Sequence, residues 1–262
     1  MRDFVVSYSG GLGSFGAACR LIEQYGRGRV QLLFADTKIE DEDLYRFVDE
    51  SSDKLGVELI RLVDGRTPWD VFRDVKYIGN SRVAPCSRVL KTEPCMKWLE
   101  ENYPDGVNLA LGIGYDEEHR LYRAQKNWAE NCKTPVNVIA PLCDDPVWTK
   151  DDVAQRLIDY GIKQPRLYDM GFPHNNCGGF CVRAGQAQFE RLLRFMPERF
   201  KWHEYQMENA MRENPKAKPF LRQVEDGELS YITLRQFRDQ VNSGVQTDMF
   251  DWGGCGCFVD SE

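Results

Sequence analysis

Ser7 and the run Ser9-Gly10-Gly11-Leu12-Gly13-Ser14 set hydroxyls and glycines side by side near the start of a 262-residue chain. The apolar run Phe4-Val5-Val6 precedes them, and Phe15, Ala18, Cys19 and Ile22 follow at helical spacing. Strand, Ser/Gly turn and helix in that order can cradle a phosphate. The glycines let a ligand approach the backbone, and the N–H groups at the positive end of the helix face the anion. The spacing lacks the closing Gly-Lys-Ser/Thr of one well-known phosphate loop and the Gly-x-Gly-x-x-Gly of another. A tight βα turn without a ligand has the same composition, so both readings are open on the loop alone.

Sulfur is the second reactive element. The nine cysteines are an odd number in a chain without a secretory leader pattern, which argues against a disulfide scaffold. Cys19, on the inward face of the first helix, reads as packing, and Cys95, Cys132 and Cys143 are assigned to structure as well. Cys86 stands in Pro85-Cys86-Ser87-Arg88-Val89-Leu90-Lys91, where neighbouring cations favour the thiolate that binds metal or attacks sulfur. Its alternative is a solvated helix start. Cys177 and Cys181 form one close pair and Cys255 and Cys257 a second, the spacing of metal or redox cysteines in a reducing compartment.

Holding these groups together calls for a sheet. Residues 30–35 read as a buried strand, 40–55 as an amphipathic helix and 57–62 as a third strand, which makes two βαβ units and a doubly wound, mostly parallel sheet. Ligands of such sheets sit at the carboxyl ends of the strands, where the serine loop and Asp36-Thr37 both fall. Asp36 there either caps the next helix or faces a ligand. Residues 66–83 suggest a short helix and a loop, 107–111 and 136–141 a fourth and fifth strand, and 149–160 a helix with Thr149 as N-cap. Residues 184–195, 198–211 and 233–241 read as helices. The expected organisation is an α/β nucleotide-binding domain over 1–165 and a helical, cysteine-containing region over 166–262.

The Ser-Gly-Gly-x-x-Ser spacing resembles the PP-loop family, the adenine-nucleotide α-hydrolases. Trp148-Thr149, Asp152-Val153, Gly161-Ile162, Leu167-Tyr168, Gly171-Phe172 and Cys177 resemble its branch of phosphoadenylyl-sulfate (PAPS) reductase-like proteins over about residues 1–200. Asp36-Thr37 and the stretch 112–120 are similar to further elements of that branch. The resemblance implies nucleotide binding by Ser7, Ser9, Gly10, Gly11, Ser14 and Asp36, with Arg88, Lys91 and Arg120 stabilising phosphate charge. It also implies thiolate ligands Cys86, Cys177 and Cys181, with Cys255 or Cys257 as a fourth, for an iron-sulfur cluster of the [4Fe-4S] type or for zinc. Two departures stand out: Ser87 follows Cys86 where cluster-binding relatives have paired cysteines, and three residues separate Cys177 from Cys181. Gly13 replaces the Asp common in the pyrophosphatases, so no magnesium ligand is assigned there. The implied activity is adenylation of a substrate by ATP with release of pyrophosphate, coupled to sulfur transfer. The alternatives are reduction of PAPS or adenylyl sulfate (APS), and a nucleotide-binding module with structural zinc.

A net charge of −7 and a pI near 5.2 argue against a general nucleic-acid binder, although a basic groove remains open. No run is long and apolar enough for a membrane span, so the expectation is a cytoplasmic protein, with no membrane partner. The acceptor (tRNA, DNA or a small molecule) and the presence of a homodimer are not legible in the sequence.

Overall fold

A computed structural model describes residues 3–80, 83–225 and 227–254. Five strands, β1 (Phe4–Ser7), β2 (Val30–Asp36), β3 (Glu58–Val63), β4 (Val107–Ala110) and β5 (Val136–Ile139), form one parallel sheet in the order β3-β2-β1-β4-β5. The register aligns Phe4 with Val30 on one side and with Asn108 on the other. β1 and β2 are buried along their whole length, which is why their apolar residues run on rather than alternate. After β3 the chain crosses to the far side of β1 to lay down β4. The direction of winding therefore reverses between β1 and β4, where doubly wound sheets open a ligand crevice.

Helices α1 (Leu12–Tyr25) and α2 (Glu42–Leu55) pack on one face of the sheet with α6 (Lys150–Asp159), through Phe15, Phe47, Val48 and Leu157. Between β3 and β4 lie α3 (Pro68–Asp74) and α4, a continuous helical run from Pro85–Ser87 through a π turn at Arg88–Thr92 into Glu93–Asn102. Leu99 of α4 and Trp128 of α5 (His119–Asn131) cover the other face. A second centre of packing joins Ile39, Trp69, Phe72 and Ile78 to α7 (Gln186–Phe195), α8 (Pro197–Glu213) and α9 (Leu234–Asn242).

The five strands and their parallel pairing match expectation, and Thr149 caps α6 in a reciprocal box with Asp152. Three details differ. Asp41, not the Asp36-Thr37 pair, caps α2 by accepting the Asp43 N–H at 3.0 Å, so Glu40 lies outside the helix. Helix α5 was not anticipated, because only Leu121, Ala124 and Trp128 mark its inward face. The region expected to be helical also holds an antiparallel hairpin, β6 (Leu221–Glu225) with β7 (Glu228–Ile232). Among the described residues no helix is long and apolar enough to cross a membrane.

Candidate functional site

The loop after β1 is shaped by contacts that only glycine permits at two positions. Gly10 has φ +75° and its missing Cβ would lie 2.9 Å from Leu44 and Val48. A Cβ on Gly13 would overlap the carbonyl oxygen of Gly112, just past β4, so the loop and the end of β4 meet backbone to backbone at the switch point. Ser14 donates to the Gly11 carbonyl at 2.9 Å and lies 3.4 Å from the Ser9 hydroxyl. α1 begins at Leu12 with no side-chain cap and no acidic residue in its first turn, which leaves the positive end of a 14-residue helix turned toward the crevice.

Two residues from the segment after α6 close on this loop. The Leu12 N–H donates to the Tyr168 hydroxyl at 3.1 Å, and the Asn175 side-chain amide donates to the Gly10 carbonyl at 2.9 Å. Asn175 itself is buried. At the end of β2, Asp36 accepts the Lys38 N–H at 2.8 Å and the Tyr45 hydroxyl at 2.7 Å, with the Lys38 ammonium 3.7 Å away.

Behind the loop lies a buried group of three ionisable side chains. The Lys91 ammonium is 3.8 Å from the Glu40 carboxylate and 3.7 Å from the Cys177 sulfur, and all three residues are less than a tenth exposed. Glu40 also accepts the Thr37 hydroxyl at 2.9 Å and the backbone N–H of Cys177. Burial pushes the Glu40 carboxyl above its ordinary range, while Lys91, Thr37 and the Cys177 N–H pull the other way. Cys177, Gly178 and Gly179 take φ values of +55°, +57° and +82° in succession, and Cys177 is in a region that side chains rarely adopt. The turn is pinned by Glu40 and by Gln188, whose amide donates to the Gly179 carbonyl at 2.9 Å. Arg199 of α8 donates to the Ile39 carbonyl at 2.7 Å beside it.

The expected site residues divide accordingly. Ser7 ends β1, Ser9, Gly10 and Gly11 form the turn after it, Ser14 lies in the first turn of α1, and Asp36 ends the neighbouring strand. Lys91 is turned inward to Glu40 and Cys177. Arg88 is exposed and pairs with Glu93 at 3.1 Å, and Arg120 pairs with Glu117. Cys86, Cys177 and Cys181 all pack into the second core. Among the described residues no three of His, Cys, Asp and Glu come together as a metal-holding group, and Cys255 and Cys257 lie outside those residues. The thiolates described thus do not make up a ligand set for a cluster or zinc by themselves. The tail does run up to them: the Gly254 N–H donates to the Arg183 carbonyl at 3.2 Å, two residues from Cys181.

The model of the phosphoadenosine phosphosulfate reductase domain matches residues 3–183, from β1 through the serine-glycine loop to the cysteine turn. The chain belongs to the PAPS reductase domain family. An uncharacterized protein of Methanocaldococcus jannaschii is 26% identical over 214 residues, which are 81% of this chain and 42% of that protein. The chain therefore spans less than half the length of that relative. The crystal structure of a PAPS reductase from Candida auris, in a phosphate complex, is similar at a TM-score of 0.45 and 15% identity, over 66% of this chain and 79% of that one.

Sequence reasoning missed Glu40 and Asn175, which the structure sets against the Cys177 backbone and the Gly10 carbonyl. Glu40 resembles any acidic residue at a helix entry, and only the cap at Asp41 reveals that it turns inward.

Proposed function

We propose that this chain is a nucleotide-dependent sulfur enzyme. In it the Ser9 to Ser14 loop holds the phosphates of an adenine nucleotide and the thiol of Cys177 carries the sulfur-directed step. One observation carries the proposal: the buried Lys91–Cys177 contact of 3.7 Å stands two residues from Asn175, whose amide is bonded to the phosphate loop. A cation against sulfur favours the thiolate, the nucleophilic form.

In the first form of the activity, the loop amides, Ser9 and Ser14 orient ATP, and an acceptor oxygen attacks the α-phosphorus with loss of pyrophosphate. A persulfide on Cys177, loaded by transfer from a persulfide donor, then attacks the adenylated carbon, AMP leaves with the oxygen, and a dithiol reductant cleaves the resulting Cys177–sulfur–sulfur–carbon disulfide to free the thiolated product and the Cys177 thiol. Arg88 and Arg120 remain proposed stabilisers of phosphate charge, whereas Lys91 is assigned to the thiol. The family match favours a second form. There the Cys177 thiolate attacks the sulfur of PAPS or APS, the sulfur–oxygen bond to the nucleotide breaks, and a dithiol reductant releases sulfite from the resulting S-sulfocysteine. The ligand set for a metal is incomplete among the described residues, so neither form is routed through one; iron, sulfide and zinc analysis tests the proposed centre on Cys86, Cys177, Cys181 and Cys255.

Pyrophosphate release from ATP in the presence of acceptor candidates identifies the first form, and sulfite release from PAPS or APS with a dithiol identifies the second. Cys177→Ser should lower either by about 100-fold or more while nucleotide binding persists. A protein that binds no adenine nucleotide would end the proposal.

A further inference from the structure

The amide of Asn175 joins two pieces of chain that sequence keeps 165 residues apart. Its nitrogen holds the Gly10 carbonyl at the turn of the phosphate loop, and its backbone leads through Asn176 directly into the strained Cys177 turn. Asn175 is 1% exposed, and its side-chain oxygen has no hydrogen-bond partner among the described residues. A buried amide half satisfied in this way is less stable than one fully paired. It therefore persists where surrounding packing over-determines its position, as it is here by the loop on one side and by Glu40 and Gln188 on the other.

We propose that Asn175 is a positioning residue that transmits occupancy of the phosphate loop to Cys177. A nucleotide seated on the loop fixes the Gly10 carbonyl, the carbonyl fixes the Asn175 amide, and the amide limits opening of the turn that carries the thiol. Rotation of that amide without nucleotide frees residues 175–181 to open more often. The inference rests on the proposed nucleotide binding and extends it to control of the thiol by the ligand.

Hydrogen exchange read by mass spectrometry on the full chain tests it, with ATP and adenosine 3′,5′-bisphosphate as probes and calorimetry measuring binding separately. Saturating nucleotide should slow exchange in residues 175–181 of the wild type about fivefold or more. In Asn175→Ala the nucleotide should still bind while the slowing falls below about twofold. Asn175→Asp, isosteric but without the donor, should behave like the alanine variant and serves if that variant does not fold. Slowing that survives in both variants would overturn the proposal, because direct covering of the turn by the ligand needs no Asn175. Binding to the wild type with no slowing would overturn it as well. Absence of binding to the wild type would instead count against the nucleotide site itself.

Discussion

At the scale of single residues, the site depends on contacts with no slack. Gly13 meets the Gly112 carbonyl, and neither backbone can retreat without moving the end of β4. Gly13→Ala should destabilise the chain by about 1–3 kcal/mol, as overpacking does, and abolish nucleotide binding, measured by thermal melting and calorimetry. The Lys91–Glu40 pair makes a different demand, since both side chains are at most one-twentieth exposed. Lys91→Met removes the cation and leaves a buried carboxylate facing the Cys177 turn, with an expected cost of about 3–5 kcal/mol. Lys91→Met combined with Glu40→Gln should recover a large part of that loss in denaturant melts, because the uncompensated charge is gone. Equal destabilisation by the single and double variants would show that Lys91 stabilises through packing rather than charge. The serine and glycine turn between β1 and α1 was legible from residue type and spacing alone. The inward turn of Glu40 was not, because an acid beside a helix start is also what a solvated first turn looks like.

At the scale of elements, what the sequence revealed follows from how each element is stabilised. β1 and β2 are buried, mostly apolar runs and the Thr149–Asp152 box is a local signal, so both could be read directly. The β6–β7 hairpin carried the turn pair Asp226-Gly227, but Val224, Leu229 and Tyr231 are exposed, so the alternation that marks a half-buried strand is blurred. α8 shows what sequence cannot display. His203 is fully buried, stacks on Phe180 at 3.9 Å, and accepts the Trp69 indole N–H on Nδ1 at 3.0 Å. Burial, aided by nearby Arg199, holds its imidazole well below its ordinary pKa. The folded state keeps it neutral while the unfolded chain takes up a proton below about pH 6.5. Stability from this neutral form is therefore complete above that pH and declines on acidification toward the depressed folded value, by at most about 1.4 kcal/mol per pH unit. His203→Phe should lose about 1–3 kcal/mol at pH 7.5, since Trp69 loses its acceptor, yet show a flatter fall between pH 6.5 and 5 than the wild type. Parallel slopes in urea titrations of the two proteins would exclude His203 as the titrating group.

At the scale of the whole molecule, residues before and after position 165 share one packing cluster. The second core takes Ile39, Trp69, Phe72 and Ile78 from the sheet half and Leu167, Phe172, Phe180 and Phe200 from the remainder. Arg166 clamps the α2 cap through two bonds to Asp41 of 2.8 and 2.9 Å, while Tyr168 and Asn175 reach the loop after β1. Re-exposing just those four side chains from the sheet half forfeits roughly 6–12 kcal/mol at about 1.5–3 kcal/mol each, which is the size of a typical domain's entire net stability. The full chain should therefore unfold in one calorimetric transition with matching van't Hoff and calorimetric enthalpies. A fragment of residues 1–165 contains the whole sheet and every serine and glycine of the loop, yet it should bind hydrophobic dye, melt without a cooperative transition and fail to bind ATP. A monomeric, cooperatively folding fragment that binds ATP would mean that the segment after residue 165 covers the nucleotide site without building it.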